Sequence, residues 1–223
     1  NELNSERSRL TAHLQNHGYY SFNKDYITYM ADTARNSSDV ELTVRVRSGQ
    51  AEPAASATAH DAGAGLRRAA PLKPYTIGEV CYQLYPASQS YQRGAMLDDT
   101  LHYDGSTFVY DRTMAIRPQV LRNASLLEPG MLYDARKVKD TYTLYGRLGA
   151  LKYTNIGFTE LNDSVLQCNV ALRPAKKVSV GAELDVTNTA GDFGVSAALA
   201  FTNRNLFRGS EVLSVKLRGA YEN

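Results

Sequence analysis

The sequence predicts an α+β fold whose last fifth turns into long antiparallel strands. Two observations carry this. Twice, a helical stretch ending at glycine hands over to a pair of alternating strands. From Lys177 onward, three strands then keep an almost unbroken two-residue period. In the first, Val178, Val180, Ala182, Leu184 and Val186 alternate with Ser179, Gly181, Glu183, Asp185 and Thr187. In the second, Val195, Ala197, Leu199 and Phe201 alternate with Gly194, Ser196, Ala198, Ala200 and Thr202. In the third, Leu213, Val215, Leu217, Gly219 and Tyr221 alternate with Ser214, Lys216, Arg218 and Glu222. One face carries no charge and the other carries acids and bases. Each strand is about nine to eleven residues long, the length a tilted strand needs to cross a bilayer. Closing a membrane barrel takes about eight strands, so three read as its opening part.

The elements before these strands follow from local signals. Residues 4–17 read as a helix capped by Asn4 or Ser5, with Leu10 and Leu14 on one face and Gly18 as its stop. Phe22 to Asp32 and Asp39 to Arg47 read as a hairpin across Arg35-Asn36-Ser37-Ser38, its apolar face offered to that helix. So small a unit buries little, which points to a further element upstream. Residues 49–74 shift to Ala, Gly, Ser and Pro and read as a linker. Thr76 to Tyr85 is a strand, and Thr100 to Tyr110 a hairpin turning at Asp104-Gly105. Pro118 opens a short helix to Asn123, and Pro129-Gly130 makes a turn. Asp134 caps a helix to Leu148 with Val138, Thr141, Tyr145 and Leu148 on one side and Gly149 as terminator. Lys152 to Thr159 and Val165 to Arg173 form another hairpin across Asn162-Asp163. The order is strand, helix, helix, strand, strand. The first 48 residues repeat only its end.

Composition narrows the function classes. A net charge of +2, without a block of like charge, argues against a nucleic-acid partner. No run of eighteen apolar residues predicts a membrane helix. Cys81 and Cys168 are too few for a disulfide framework or a metal cluster, and strand parity sends them to opposite faces. His13 and His17 have a spacing that can hold zinc, yet no third ligand or H-E-x-x-H motif accompanies them. No G-x-S-x-G elbow, phosphate loop or carboxylate pair appears, so the expectation is no catalysis, no cofactor and no metal.

Three local patterns resemble one family. Glu128-Pro129-Gly130-Met131-Leu132-Tyr133 is similar to the P-G-x-x-Y turn between the two helices of a POTRA domain. Leu148-Gly149-Ala150-Leu151-Lys152-Tyr153 looks like the end of the second POTRA helix running into the next strand. Asn203-Arg204-Asn205-Leu206-Phe207-Arg208-Gly209-Ser210 resembles the N-x-N-L-F-G-x-G turn after the second barrel strand, with Arg208 where many members carry Gly. In this order, they resemble the BamA/TamA superfamily of bacterial outer-membrane proteins, and His17-Gly18-Tyr19-Tyr20 with Asn23-Lys24-Asp25-Tyr26 resembles its TamA-like proteins of Bacteroidetes.

The resemblance implies a domain plan. Residues 1–48 would be a partial POTRA and 49–74 a linker. Residues 75–175 would be a complete POTRA with an inserted hairpin. That module is β-α-α-β-β, a three-stranded mixed sheet with two helices on one face. Residues 176–223 would open an outer-membrane β-barrel, leaving residues 1–175 in the periplasm. The structural turns would rest on Pro129, Gly130, Tyr133, Gly149, Asn205, Phe207 and Gly209.

The implied function is outer-membrane protein assembly, insertion or translocation. An open strand edge lets an unfolded client, an outer-membrane or secreted polypeptide, add itself as a further strand through main-chain hydrogen bonds. Tyr153, Asn155 and Gly157, with Tyr26 and Thr28 as first-module counterparts, are the expected client-binding edge. Val178, Val180, Ala182 and Leu184 would form the barrel seam that receives the client. The other implied partners are outer-membrane lipid and periplasmic or inner-membrane subunits. The alternative is a soluble periplasmic or surface protein-binding module without a membrane barrel, since alternation alone also suits a half-buried sheet.

Overall fold

The computed structural model describes residues 2–32, 40–47, 72–87, 97–189 and 192–222. The turn expected at 35–38 and nearly all of the expected linker lie outside these residues. The chain divides into two compact units, one made of Asn1–Thr76, Leu132–Arg136 and Asn162–Val165, the other of Ile77–Met131, Lys137–Leu161 and Leu166–Asn223.

In the first unit, helix α1 (Glu2–Gln15) precedes a short 3-10 turn (Lys24–Tyr26) and the antiparallel pair β1 (Ile27–Asp32) and β2 (Glu41–Val46). Asn4 and Ser5 lie inside α1 rather than at its cap, and the Ser8 hydroxyl donates to the Asn4 carbonyl. Gly18 is required twice over. Its φ is +97°, and a Cβ there would stand 2.9 Å from both Leu132 and Pro74. Tyr20 packs edge-on against Tyr75 and Tyr133, and Phe22 and Ile27 are buried. The apolar face expected on β2 is not covered: Val40, Leu42, Val44 and Val46 are all exposed, and α1 buries no residue. The helix instead fastens to the strand entry. Arg7 donates to the Lys24 carbonyl and Gln15 to that of Phe22.

The second unit is built on β3 (Thr76–Leu84), β4 (Asp99–Tyr103), β5 (Ser106–Tyr110), α2 (Pro118–Asn123), α3 (Ala135–Arg147), β6 (Leu151–Asn162) and β7 (Val165–Pro174). The strand-helix-helix-strand-strand order is present, but the sheet has five strands rather than three, in the order β4-β5-β3-β7-β6. The inserted hairpin joins the sheet because β5 pairs parallel with β3 through Cys81–Leu84 and Thr107–Tyr110. Its turn is the expected one, with Asp104 at φ +48° and Gly105 at +69°.

Ile77 and then the even-numbered residues of β3 from Val80, with the even-numbered residues of β7, form the core. Val80, Tyr82, Leu84, Leu166, Cys168, Val170 and Leu172 are buried, and Tyr82 stacks on Phe108 at 4.4 Å between ring centres. From the helices come Leu121 and Tyr145, whose hydroxyl donates to the Leu121 carbonyl at 3.1 Å. A buried tyrosine needs such a partner to offset its desolvation. Pro118 opens α2, and the Asp134 carboxylate accepts the Arg136 amide at the start of α3.

A separate meander follows, with β8 (Val178–Thr189), β9 (Asp192–Arg204) and β10 (Val212–Glu222) in the order β10-β9-β8. No helix of the described residues is long and apolar enough to cross a membrane, which says nothing about strands.

Candidate functional site

The three terminal strands have one apolar face and one small or polar face. Register places Val180, Phe201 and Val215 in one row, and Ala182, Leu199 and Leu217 in the next. This apolar face is widely exposed: Val180 is 74%, Leu184 80% and Leu217 68% accessible. On the small and polar face the central strand β9 is sheltered, with Ser196 at 9% and Ala198 at 5%, while the described residues of β8 and β10 are exposed. The reason lies in side-chain size. From Gly194 to Thr202 this face of β9 carries Gly194, Ser196, Ala198, Ala200 and Thr202, which leaves room for long neighbours to lie across it. Lys216 of β10 reaches over β9 to Glu183 of β8 at 2.7 Å, and Arg218 donates to Ser196, whose hydroxyl in turn donates to Asp185. An exposed apolar face of this extent marks a surface for contact with protein or membrane. The seam residues Val178, Val180, Ala182 and Leu184 lie on β8, an edge of this sheet.

The turn between β9 and β10 fastens these strands to the α/β sheet. The Asn205 amide side chain, 9% accessible, donates to the Ala115 carbonyl at 2.7 Å and accepts from the Ser210 amide at 3.1 Å. The Arg117 amide donates to the Arg208 carbonyl at 2.9 Å, and the Ala150 amide to the Ser210 hydroxyl at 3.2 Å. The Glu211 carboxylate accepts the amides of Phe207 and Gly209. Its own amide, then those of Gly209 and Phe207 and the nearby Arg117 guanidinium, hold this carboxyl below the usual range and outweigh burial. Asn205, Arg208 and Ser210 all have left-handed φ, at +79°, +63° and +68°. Arg208 and Ser210 stand where the turn pattern has glycine, and both take a backbone conformation that glycine adopts freely. Gly209, by contrast, has no positive φ, but a Cβ there would collide with the Glu211 side chain.

The other turn residues divide by cause. Gly130 has φ +82°, its amide donates to the Ile77 carbonyl, and Pro129 precedes it as a type II turn prefers. Tyr133 is buried, with its amide on the Tyr75 carbonyl. Gly149 is not a left-handed helix terminator, contrary to expectation. It is glycine because a Cβ would stand 2.6 Å from Val212 at the start of β10.

The client-binding residues expected in the second module lie on β6. β6 is an edge strand, and Tyr153 and Asn155 are exposed. However, the Tyr142 hydroxyl of α3 accepts the Ile156 amide at 2.6 Å and donates to the Ile156 carbonyl at 3.2 Å. Main-chain groups alternate direction along a strand, so Lys152 and Thr154 point outward with Ile156, whereas Tyr153, Asn155 and Gly157 point toward β7. Those three are expected from the edge position of their strand, which does not say where main-chain groups point. In the first unit, Tyr26 sits in the 3-10 turn rather than a strand, and its carbonyl accepts the Arg47 amide. Thr28 is paired with Arg45 inside the β1–β2 ladder. His13 and His17 are in ring contact, His17 Nδ1–H donating to the His13 carbonyl, and among the described residues no cluster of metal ligands includes them.

The chain matches no protein-family model and no curated protein. Among solved structures, it is similar to the crystal structure of BamA from Haemophilus ducreyi lacking POTRA domains 1-3. The identity is 12% and the TM-score 0.52, over 99% of this chain and 31% of that one. CdiB from Acinetobacter baumannii matches at 11% identity and TM-score 0.42, over 52% of this chain and 24% of that one. The N-terminal domain of Omp85 from Thermosynechococcus elongatus matches at 9% and 0.28, over 77% and 84%. The last two scores are too low to support an argument. The chain therefore spans about a third of the BamA structure it matches, and over that span it has a BamA-like fold.

Proposed function

We propose that the chain is part of an outer-membrane protein assembly or translocation factor of the BamA/TamA type, with POTRA modules in the periplasm and β8–β10 opening its barrel. The observation that carries this reading is the wide exposure of the apolar face of β8–β10, with the Lys216–Glu183 pair on the opposite face. Clients are unfolded outer-membrane or secreted polypeptides, which add to the β6 edge through the main-chain groups of Lys152 and Thr154. The β8 edge, from Val178 to Leu184, receives them. Free energy comes from strand pairing and from burial of the client's apolar face in lipid, so neither nucleotide nor cofactor is needed.

Two experiments test the parts separately. Nitroxide labels along β8 and β9 in lipid bilayers should show oxygen accessibility with a period of two, high at Leu184 and Leu199 and low at Glu183 and Ala198. A flat profile would remove the membrane reading. Thr154→Pro deletes an outward N–H without touching the β6–β7 ladder and should abolish photo-crosslinking of an unfolded precursor peptide to β6. Undiminished crosslinking would refute augmentation at this edge.

A further inference from the structure

A basic cleft lies where the α/β sheet meets the start of β8. It encloses about 430 Å³ and is lined by Arg112, Lys177, Arg204 and Arg208, with Asp111 as its one acidic residue. Ligand sites commonly have volumes of about 300–1,000 Å³. Asp111 is already placed 3.9 Å from Arg112. Lys177, Arg204 and Arg208 form no ion pair among the described residues.

The placement of these three is costly without an anion. The Arg204 amide donates to the Lys177 carbonyl at 2.7 Å, which continues the β8–β9 register by one step and sets the two cations opposite each other. Like charges directly opposite in a sheet are destabilising. Arg208 sits at φ +63°, a conformation that glycine adopts freely and an arginine adopts only under strain. What the position gains is a guanidinium at the cleft.

Strand parity selects the ligand class. Lys177 and Arg204 share a face with Ser179, Glu183 and Lys216, and Arg204 donates to the Ser179 hydroxyl. That is the face turned away from the exposed apolar side chains, so it meets water or polypeptide rather than lipid. We infer that this cleft binds an acidic segment of a client polypeptide, its Asp or Glu carboxylates pairing with Lys177, Arg204 and Arg208. The inference rests on the proposed membrane placement of β8–β10, which decides between a peptide and a lipid headgroup.

The test is a titration of the whole chain in neutral detergent with a fluorescein-labelled alternating Asp-Thr octapeptide, followed by anisotropy at low salt. The Lys177→Gln/Arg204→Gln double variant should weaken binding about tenfold or more. Arg208→Gly should weaken it about threefold, and because it relieves strain it should not lower the denaturation midpoint. An Asn-Thr octapeptide should not bind. Equal binding of the two peptides, or unchanged affinity in the double variant, would overturn the proposal. So would phosphatidylglycerol vesicles binding through these cations in place of the peptide. The nitroxide profile of β8–β9 is scored independently: its loss would remove the membrane reading alone, and lost cation dependence would remove the cleft alone.

Discussion

Replacing Asn205 separates two contributions that the β9–β10 turn combines. The side chain makes two hydrogen bonds, to the Ala115 carbonyl and from the Ser210 amide, in a nearly inaccessible position. Each contributes about 1 kcal/mol. The backbone is at φ +79°, which asparagine tolerates and alanine resists by about 1 kcal/mol. Asn205→Gly therefore loses about 2 kcal/mol, from the hydrogen bonds alone. Asn205→Ala loses about 3 kcal/mol, from the bonds and the strain. The amides of Arg117 and Ala150, which donate into the turn at Arg208 and Ser210, report its opening. Their hydrogen-exchange protection should fall roughly thirtyfold in the glycine variant and roughly 150-fold in the alanine variant, at about 1.4 kcal/mol per factor of ten. Equal loss in both variants would refute the assigned strain. Unchanged protection in both would refute the turn as the fastening between sheet and meander.

Gly149→Ala should destabilise the second unit by about 1–3 kcal/mol through the clash with Val212, and Val212→Ala should restore most of it in a denaturant-melt double-mutant cycle. The turn should also loosen with acid. The folded Glu211 pKa is depressed, so its contribution is complete above the unfolded value of about 4.3 and is lost as pH falls through the folded one. Exchange at the Phe207 and Gly209 amides should rise below about pH 4, and Glu211→Gln should flatten that dependence. Burial raises both thiols, with Cys168 pushed up to about 12 by burial and then by Cys81. Iodoacetamide at mildly alkaline pH should therefore modify Cys81 on the more open sheet face well before Cys168 in the core, because the thiolate is the reacting form.

The elements that were legible in the sequence are those whose cause is local. Asp104-Gly105 needs two left-handed residues, Pro118 supplies its own φ, and Pro129-Gly130 combines both devices. Period two on β7 placed Cys168 in the core with Leu166 and Val170. What stayed hidden depends on distant partners. Nothing near Gly149 announces Val212, sixty-three positions away, and a glycine after a helix reads more simply as a cap. The five-stranded sheet was hidden for the same reason. A hairpin signal at residue 104 says how β4 meets β5 but not that β5 will pair with β3. The exposed row Val40, Leu42, Val44, Val46 shows the limit of alternation itself. The period identifies an apolar face and leaves open what covers it.

The same limit decides how the terminal strands and the β6 edge are read. Alternation on β8–β10 fits a soluble sheet and a membrane sheet equally well. Accessibility adds one observation: Leu184 and Leu217, which the core of a soluble sheet would cover, are 80% and 68% accessible, while Glu183 and Lys216 pair on the opposite, also exposed, face. On β6 the ambiguity is of another kind. Side chains and main-chain groups both repeat every two residues, but along perpendicular directions. Sequence reports only the first. A single long-range contact, the Tyr142 hydroxyl on the Ile156 main chain, supplies the second and moves the candidate contact to Thr154. That hydroxyl also blocks part of the edge it reveals. A client strand pairing beyond Thr154 must displace Tyr142 from Ile156, so removing the hydroxyl lengthens the edge open to a client while exposing one more unpaired amide to water.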